Sequence, residues 1–131
     1  MRIALFGKPF KQKHNDAVQH LVDRIQGLDS EALVYAEFMD LLNRSTEVPS
    51  TFKRFSCAED LEGYDVLFSV GGDGTFLESC TLASEKGIPI MGINTGTLGF
   101  LSNVGTESID DAVDAIISGN TWIDERSLLQ V

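Results

Sequence analysis

The sequence predicts a three-layer α/β fold, in which helices cover both faces of a mostly parallel sheet. Short apolar runs alternate along the chain with longer segments whose apolar residues recur at helical spacing. Glycine follows several of these runs, as is typical of turns between strands and helices. Such alternation favours parallel strands joined by helical crossovers. The length of 131 residues suits a single domain with its own core.

The first half of the chain begins with an apolar run at residues 3–6, which we interpret as a buried strand ended by Gly7. Asn15 is a candidate N-cap for a helix that ends near Gly27. The apolar face of this helix would consist of Ala17, Val18, Leu21, Val22, Ile25 and Leu28. A second strand is predicted at residues 32–36.

Residues 38–58 carry weaker patterns than the segments around them. They are consistent with a helical turn over 38–42, a loop over 44–50 and a short strand over 52–55.

The second half begins with the clearest strand, at residues 66–70. A helix is predicted over 75–86, with Gly87 as the residue that ends it. The next strand is predicted at 88–93 and is followed by a loop over 94–103.

The last predicted helix begins at a capping-box pattern formed by Ser108 and Asp111, and ends at Gly119. Its apolar face would be Ile109, Ala112, Val113, Ile116 and Ile117. Taken together, these elements predict a Rossmann-like three-layer sandwich. Ligands of such folds bind beyond the carboxyl ends of the strands.

Composition excludes several classes of function. Twenty acidic residues against ten basic ones give a net charge of -10, which argues against a nucleic-acid or anionic membrane partner. No apolar run approaches the about 18 residues that a membrane-spanning helix needs, and the first residues do not resemble a signal peptide. Cys57 and Cys80 are too far apart for a metal or redox motif, so we expect a cytoplasmic protein.

The most informative segment is the turn after the strand at 66–70, where Gly71 and Gly72 precede Asp73 and Gly74. A buried strand that leads through glycines into a helix presents backbone N–H groups and a positive helix end, which suits a phosphate. A carboxylate in this position would accept a proton, orient a hydroxyl or hold a cation. The structural alternative is a tight turn with Asp73 as a helix N-cap.

Other polar residues near this turn have structural explanations. Thr75 and Glu78 form a Thr-x-x-Glu capping box, which we favour over a catalytic role for Glu78. Lys8 is within reach of a phosphate, although a solvated lysine is the preferred interpretation. Asn94 and Thr95 either satisfy loop backbone or contact a ligand.

Two motifs together carry a resemblance to a known family. Residues 71–75 read Gly-Gly-Asp-Gly-Thr, and residues 92–101 read Gly-Ile-Asn-Thr-Gly-Thr-Leu-Gly-Phe-Leu. In this combination the chain resembles the NAD kinases over nearly its whole length. Diacylglycerol and sphingosine kinases and the phosphofructokinases are similar only in the first motif.

The resemblance implies transfer of the terminal phosphoryl group of ATP, or of polyphosphate, to the 2′-hydroxyl of the adenosine ribose of NAD, which gives NADP. Asp73 would accept the proton of that hydroxyl. The residues implied in binding NAD or nucleotide are Gly72, Asp73, Gly74, Leu77, Asn94 and Phe100. Mg²⁺ or another divalent cation would be held mainly by the nucleotide phosphates, and no protein metal ligand is implied.

The chain departs from the family in its length, since NAD kinases are roughly twice as long and carry a β-rich second domain. The family's Asn-Glu pair, which holds parts of the dinucleotide, would lie beyond Val131. We therefore expect residues 1–131 to be the N-terminal α/β domain, with residues 124–131 leading into the absent one. Such a fragment would fold but have little activity alone, and its exposed interface predicts a homo-oligomer.

Two other functions remain open at this point. One is a lipid or sugar kinase of the same glycine-aspartate-loop superfamily, and the other is a non-catalytic nucleotide-binding module. Phosphorylation of a diacylglycerol or sugar but not of NAD would favour the first. Binding of NAD or ATP by the 131-residue chain alone would favour the second.

Overall fold

The computed structural model describes residues 1–28, 31–95 and 104–118. In these residues one sheet has the strand order β3-β2-β1-β4-β5-β6, and all neighbouring strands are parallel. The strands are β1 Arg2–Gly7, β2 Glu31–Tyr35, β3 Lys53–Phe55, β4 Val66–Gly71, β5 Ile90–Asn94 and β6 Val104–Gly105. The α-helices are α1 Asn15–Gln26, α2 Ala36–Ser45, α3 Asp73–Ala83 and α4 Ile109–Ser118. Short 3-10 turns lie at Gln12–His14, Ala58–Leu61, Ser84–Lys86 and Thr106–Ser108.

The central strands are apolar because both of their faces are covered. Every residue of β4 is buried, and in β1 only Arg2 is exposed. Alternate residues enter two separate cores, with Leu5 on one side of the sheet and Phe6 on the other. This continuous apolar pattern is typical of strands in parallel sheets.

The two cores define the three predicted layers. On one face, α1, α2 and α4 pack their apolar residues against the sheet, around Leu21, Phe38 and Ile109. On the other face, α3 and the turn at Ala58–Leu61 enclose a smaller core. The predicted Rossmann-like three-layer sandwich is therefore confirmed.

Residues 36–50 differ most from the structure that the sequence predicts. The structure has a ten-residue helix α2, Ala36–Ser45, where we predicted a helical turn followed by a loop. Ala36 begins this helix instead of ending β2. The sequence pattern was misleading because only Phe38, Met39 and Leu42 of α2 are buried, which leaves a short apolar face.

Polar contacts between α1 and α4 link helices that are far apart in sequence. Arg24 forms ion pairs with Asp110 and Asp114, and His20 Nε2 lies 2.7 Å from Asp110 Oδ1. The hydrogen bond from His20 contributes most to lowering the pKa of Asp110 below its ordinary value, and the hydrogen bond from Arg24 contributes next. These contacts join the last described helix to the first one.

In the described ranges, no helix combines the length and the apolar character needed to cross a bilayer.

Candidate functional site

The carboxyl ends of β1, β4 and β5 lie side by side at one edge of the sheet. Gly7 is in register with Val70, and Gly71 is in register with Asn94. The strand order reverses between β1 and β4, and an open α/β sheet has its ligand crevice at such a switch point. The glycine turn singled out from the sequence therefore lies where this fold forms its binding sites.

The glycine turn passes directly into α3. Gly72 is the N-cap residue, with extended backbone at φ -112° and ψ -162°, and Asp73 is the first helical residue. The first bond of the helix runs from the Phe76 N–H to the Gly72 carbonyl oxygen, at 3.0 Å. The helix thus begins two residues earlier than predicted, so Asp73 is not the N-cap. The proposed capping box of Thr75 and Glu78 is wrong for the same reason.

Asp73 is half-buried, so its carboxylate is not sealed in the protein interior. Its position in the first turn of α3 places it where the helix dipole favours negative charge. The first-turn N–H groups of a helix have no acceptor inside that helix and can face an anion. A carboxylate and a group of amide donors therefore occupy the same end of α3.

The glycines of the turn differ in what surrounds them. Gly71 has φ +155°, and a Cβ atom there would lie 2.4 Å from Thr75 Oγ1, so the protein itself requires glycine. A Cβ atom at Gly72 or Gly74 would have no neighbour within 4 Å. The space beside these two glycines is open, as close approach of a ligand would need.

The second glycine-containing loop starts beside the first. Asn94 ends β5 and is only 3% exposed, and the Thr95 N–H donates to the Gly71 carbonyl oxygen at 3.1 Å. The described part of this loop is thus tied to the glycine turn by a backbone hydrogen bond. Phe100, a predicted nucleotide-binding residue, lies outside the described residues.

Leu77 is one of the few large apolar side chains on the described surface, with 46% of its area exposed. It follows Asp73 by four residues, so the two share a face of α3. Exposure of a leucine next to a carboxylate at the sheet edge suits a residue that contacts a bound ligand.

Lys8 is exposed, as we expected for a solvated lysine, but it also forms an ion pair. The backbone N–H of Lys8 donates to the Val70 carbonyl oxygen at 3.3 Å, which fixes the backbone beside the glycine turn. Its Nζ lies 2.9 Å from Glu78 Oε2 on α3. This hydrogen bond raises the pKa of Lys8. Sequence spacing gave no signal of the pair, because it depends on β1 lying next to β4.

An open depression of about 460 Å³ lies elsewhere on the surface. It is lined by polar and charged residues of α1 and of the end of α2: Gln19, Asp23, Arg44, Ser45, Thr46 and Glu47. No residue of either glycine loop contributes to it, and we do not assign it a role.

The fold defines a Rossmann-like α/β protein with an open glycine turn at the switch point of the sheet. Comparisons with known proteins then identify the family. Residues 4–121 match the family model for the ATP-NAD kinase N-terminal domain. The NAD kinase of Cytophaga hutchinsonii is 40% identical over the whole chain, which covers 45% of that protein. The NAD kinase of Methanothermobacter thermautotrophicus is 37% identical over 70% of this chain and 35% of that protein.

A solved structure gives independent support for the fold. The crystal structure of yeast NADH kinase complexed with NADH superposes with a TM-score of 0.74 and 19% sequence identity. The match covers 90% of this chain and 36% of the yeast chain. The match to the family model over residues 4–121 shows that the chain belongs to the NAD kinase family. The chain spans about half the length of the curated relatives that it matches.

Proposed function

We propose that this chain is the N-terminal part of a kinase that transfers the terminal phosphoryl group of ATP, or of polyphosphate, to NAD. The acceptor is the 2′-hydroxyl of the adenosine ribose, and the product is NADP. The observation that carries the proposal is the position of Asp73, a half-buried carboxylate at the first residue of α3 and next to an open glycine turn. Membership of the NAD kinase family supplies the reaction class.

Asp73 acts as the proton acceptor in the proposed reaction. As the 2′-hydroxyl oxygen forms a bond to the terminal phosphorus of ATP, its proton passes to the Asp73 carboxylate. The bond from that phosphorus to the bridging oxygen breaks, and ADP leaves with the bonding electrons. Because phosphoryl transfer depends mostly on alignment and charge stabilisation, positioning of the hydroxyl is the main task of the chain.

Gly72 and Gly74 contribute space and backbone to the binding of NAD. The absence of side chains at these positions lets the ligand approach the start of α3, where the helix end favours phosphate. Leu77 would cover an apolar part of the dinucleotide, and the relative from yeast was solved with NADH bound. Asn94 is proposed to contact the nucleotide from the end of β5.

We propose that a divalent cation such as Mg²⁺ enters with the nucleotide phosphates. When bound, it neutralises charge on the transferring phosphoryl group. The described end of the sheet offers Asp73 as a nearby carboxylate, which suits an ion that keeps phosphate and water oxygens as most of its ligands.

We further propose that the remaining length of the relatives' fold completes the substrate cleft. The matched relative from Cytophaga hutchinsonii has more than half of its length outside the region matched here. A cleft with one wall missing would position neither substrate well, so the 131-residue chain alone should have little activity. Formation of a homo-oligomer stays a prediction, which light scattering would test.

The test of the proposed function is Asp73→Asn in the full-length protein, with NADP formation as the readout. The amide cannot accept the hydroxyl proton, so turnover should fall by about 10²- to 10⁴-fold. Asp16→Asn is the matched control, because Asp16 is also an acidic residue in the first turn of a helix. It reproduces the loss of charge near a helix dipole without touching the site. Unchanged turnover of Asp73→Asn would refute the assignment.

A further inference from the structure

The ion pair between Lys8 and Glu78 crosses the crevice at the switch point. Lys8 is the first residue after β1, and Glu78 lies in the second turn of α3. Their side chains are 46% and 54% exposed, so the pair is open to solvent and to ligands. It joins the two elements between which a ligand of this fold would bind.

Two adjacent rows of side chains run along the exposed surface of α3. Asp73 and Leu77 form one row, and Gly74 and Glu78 form the other, because residues four apart lie above one another on a helix. Lys8 contacts the row that contains Glu78. Of the residues proposed above for NAD, Asp73 and Leu77 lie on the first row and Gly74 begins the second, which leaves the space between Lys8 and Glu78, beyond Gly74, for the second substrate.

The surroundings of Lys8 are acidic. Besides the contact with Glu78, the carboxylate of Glu37 at the start of α2 also attracts the Lys8 ammonium. The Lys8 side chain extends past the Phe6 ring, with Nζ 5.9 Å from the ring centroid. Glu78 therefore occupies the position at which an anionic ligand would meet Lys8.

We propose that Lys8 binds the phosphates of the phosphoryl donor and that Glu78 is an internal competitor for the same ammonium group. The proposal rests on the proposed function and adds which element receives the donor. An exposed ion pair contributes little to stability, so a polyphosphate chain with several negative charges can displace Glu78. Lys8 thereby acts in positioning the donor. Glu78 occupies the Lys8 ammonium when no donor is bound and so lowers the affinity for the donor.

Kinetics of the full-length protein test this proposal with Lys8→Met and Glu78→Gln. Lys8→Met should raise the KM for the donor about tenfold, the loss expected for one charge-assisted contact, while the KM for NAD is unchanged. Lys8→Arg keeps the positive charge, so its KM for the donor should stay close to that of the unsubstituted protein. Glu78→Gln should lower the donor KM by about two- to fivefold, because it removes the competitor.

Asp40→Asn is the matched control for Glu78→Gln. Asp40 pairs with Arg54 at 2.7 Å, and the two side chains are 55% and 47% exposed, close to the values for the Lys8 pair. This pair lies on α2 and β3, away from the switch point, so its loss should leave the donor KM unchanged. Thermal unfolding of each variant confirms that the fold is kept.

The opposite signs of the two effects separate the proposal from a structural role. If Lys8→Met and Glu78→Gln shift the donor KM in the same direction, or change the KM for NAD equally, the proposal is overturned. If the protein forms no NADP, the proposed function fails, and calorimetric titration with inorganic tripolyphosphate still decides this point. Weaker binding by Lys8→Met with tighter binding by Glu78→Gln supports the proposal, and equal affinities refute it.

Discussion

The three glycines of the turn should respond to alanine substitution in two different ways. Gly71 is required by the packing of the protein, because its Cβ atom would contact Thr75. Gly72 and Gly74 have open space around the same position, so only a ligand can require glycine there. A single substitution at each position therefore separates folding from binding within four residues of sequence.

The magnitude follows from the geometry at each position. A Cβ atom at Gly71 would lie 2.4 Å, 2.7 Å and 3.0 Å from Oγ1, Cβ and Cγ2 of Thr75. Thr75 is 8% exposed and has a short side chain, so it cannot move away. Overpacking of this kind costs about 1–3 kcal/mol. Alanine at Gly74, inside the helix, meets no contact and should stabilise the fold by about 0.4–1 kcal/mol through the unfolded chain. At Gly72 it also meets no contact, but alanine is a poorer N-cap than glycine, so the free energy of unfolding should change little.

Urea unfolding and NAD titration measure the two effects. Gly71→Ala should lower the free energy of unfolding, whereas Gly72→Ala and Gly74→Ala should leave it unchanged or raise it. In the full-length protein, Gly72→Ala and Gly74→Ala should weaken NAD binding about tenfold or more, because the methyl group takes the place of ligand atoms. Gly71→Ala serves as the control, because it distorts the turn but leaves the open space beside Gly72 and Gly74 unfilled.

Either of two results would refute this reasoning. If Gly72→Ala or Gly74→Ala destabilises the fold as much as Gly71→Ala, then the open space beside them has a structural origin that the geometry does not show. If both variants bind NAD with the affinity of the unsubstituted protein, the ligand does not approach the turn closely.

Three further predictions concern other parts of the molecule. Leu77→Ser should raise the KM for NAD about three- to tenfold, whereas Ile117→Ser, at an equally exposed leucine-sized residue, should not. The pKa of Asp110 is lowered in the folded state, so its stabilising contribution is present above pH 3.8, the ordinary pKa of an aspartate, and is lost as the pH falls below it. Asp110→Asn should therefore weaken the dependence of the free energy of unfolding on pH below 3.8. A thiol reagent should modify the exposed Cys57 of the native protein but not the buried Cys80.

Clear results would contradict each of these three predictions. Equal effects of Leu77→Ser and Ile117→Ser on NAD would remove Leu77 from the binding site. An acid-unfolding curve that keeps its shape in Asp110→Asn would show that the contacts with His20 and Arg24 do not stabilise the fold. Modification of two thiols at the same rate under native conditions would contradict the burial of Cys80.

The sequence was most informative where local chemistry decides the structure. The strands β1 and β4 could be predicted because buried parallel strands are apolar without alternation, and Gly7 and Gly71 mark their ends. Gly87 was also identified correctly, since it adopts the left-handed conformation, φ +64°, that ends the helical segment.

Prediction was least successful where a helix boundary depends on its surroundings. The sequence placed the start of the third helix at Thr75, because serine and threonine are favoured at N-caps. The helix instead begins at Asp73, since Gly72 takes extended backbone next to a strand that is paired on both sides. The start of α2 at Ala36 was missed for a related reason, as β2 leads into it without a turn residue.

By itself, the sequence determined the alternation of strands and helices, the two glycine-containing loops, and the family that they resemble. These properties follow from hydrophobic period and backbone conformation, which act over a few neighbouring residues. Only the tertiary structure decided that β1 lies beside β4, and that Lys8 therefore meets Glu78 across the crevice. Contacts such as Arg24 with Asp110 join residues far apart in the chain, and their formation depends on how the helices pack.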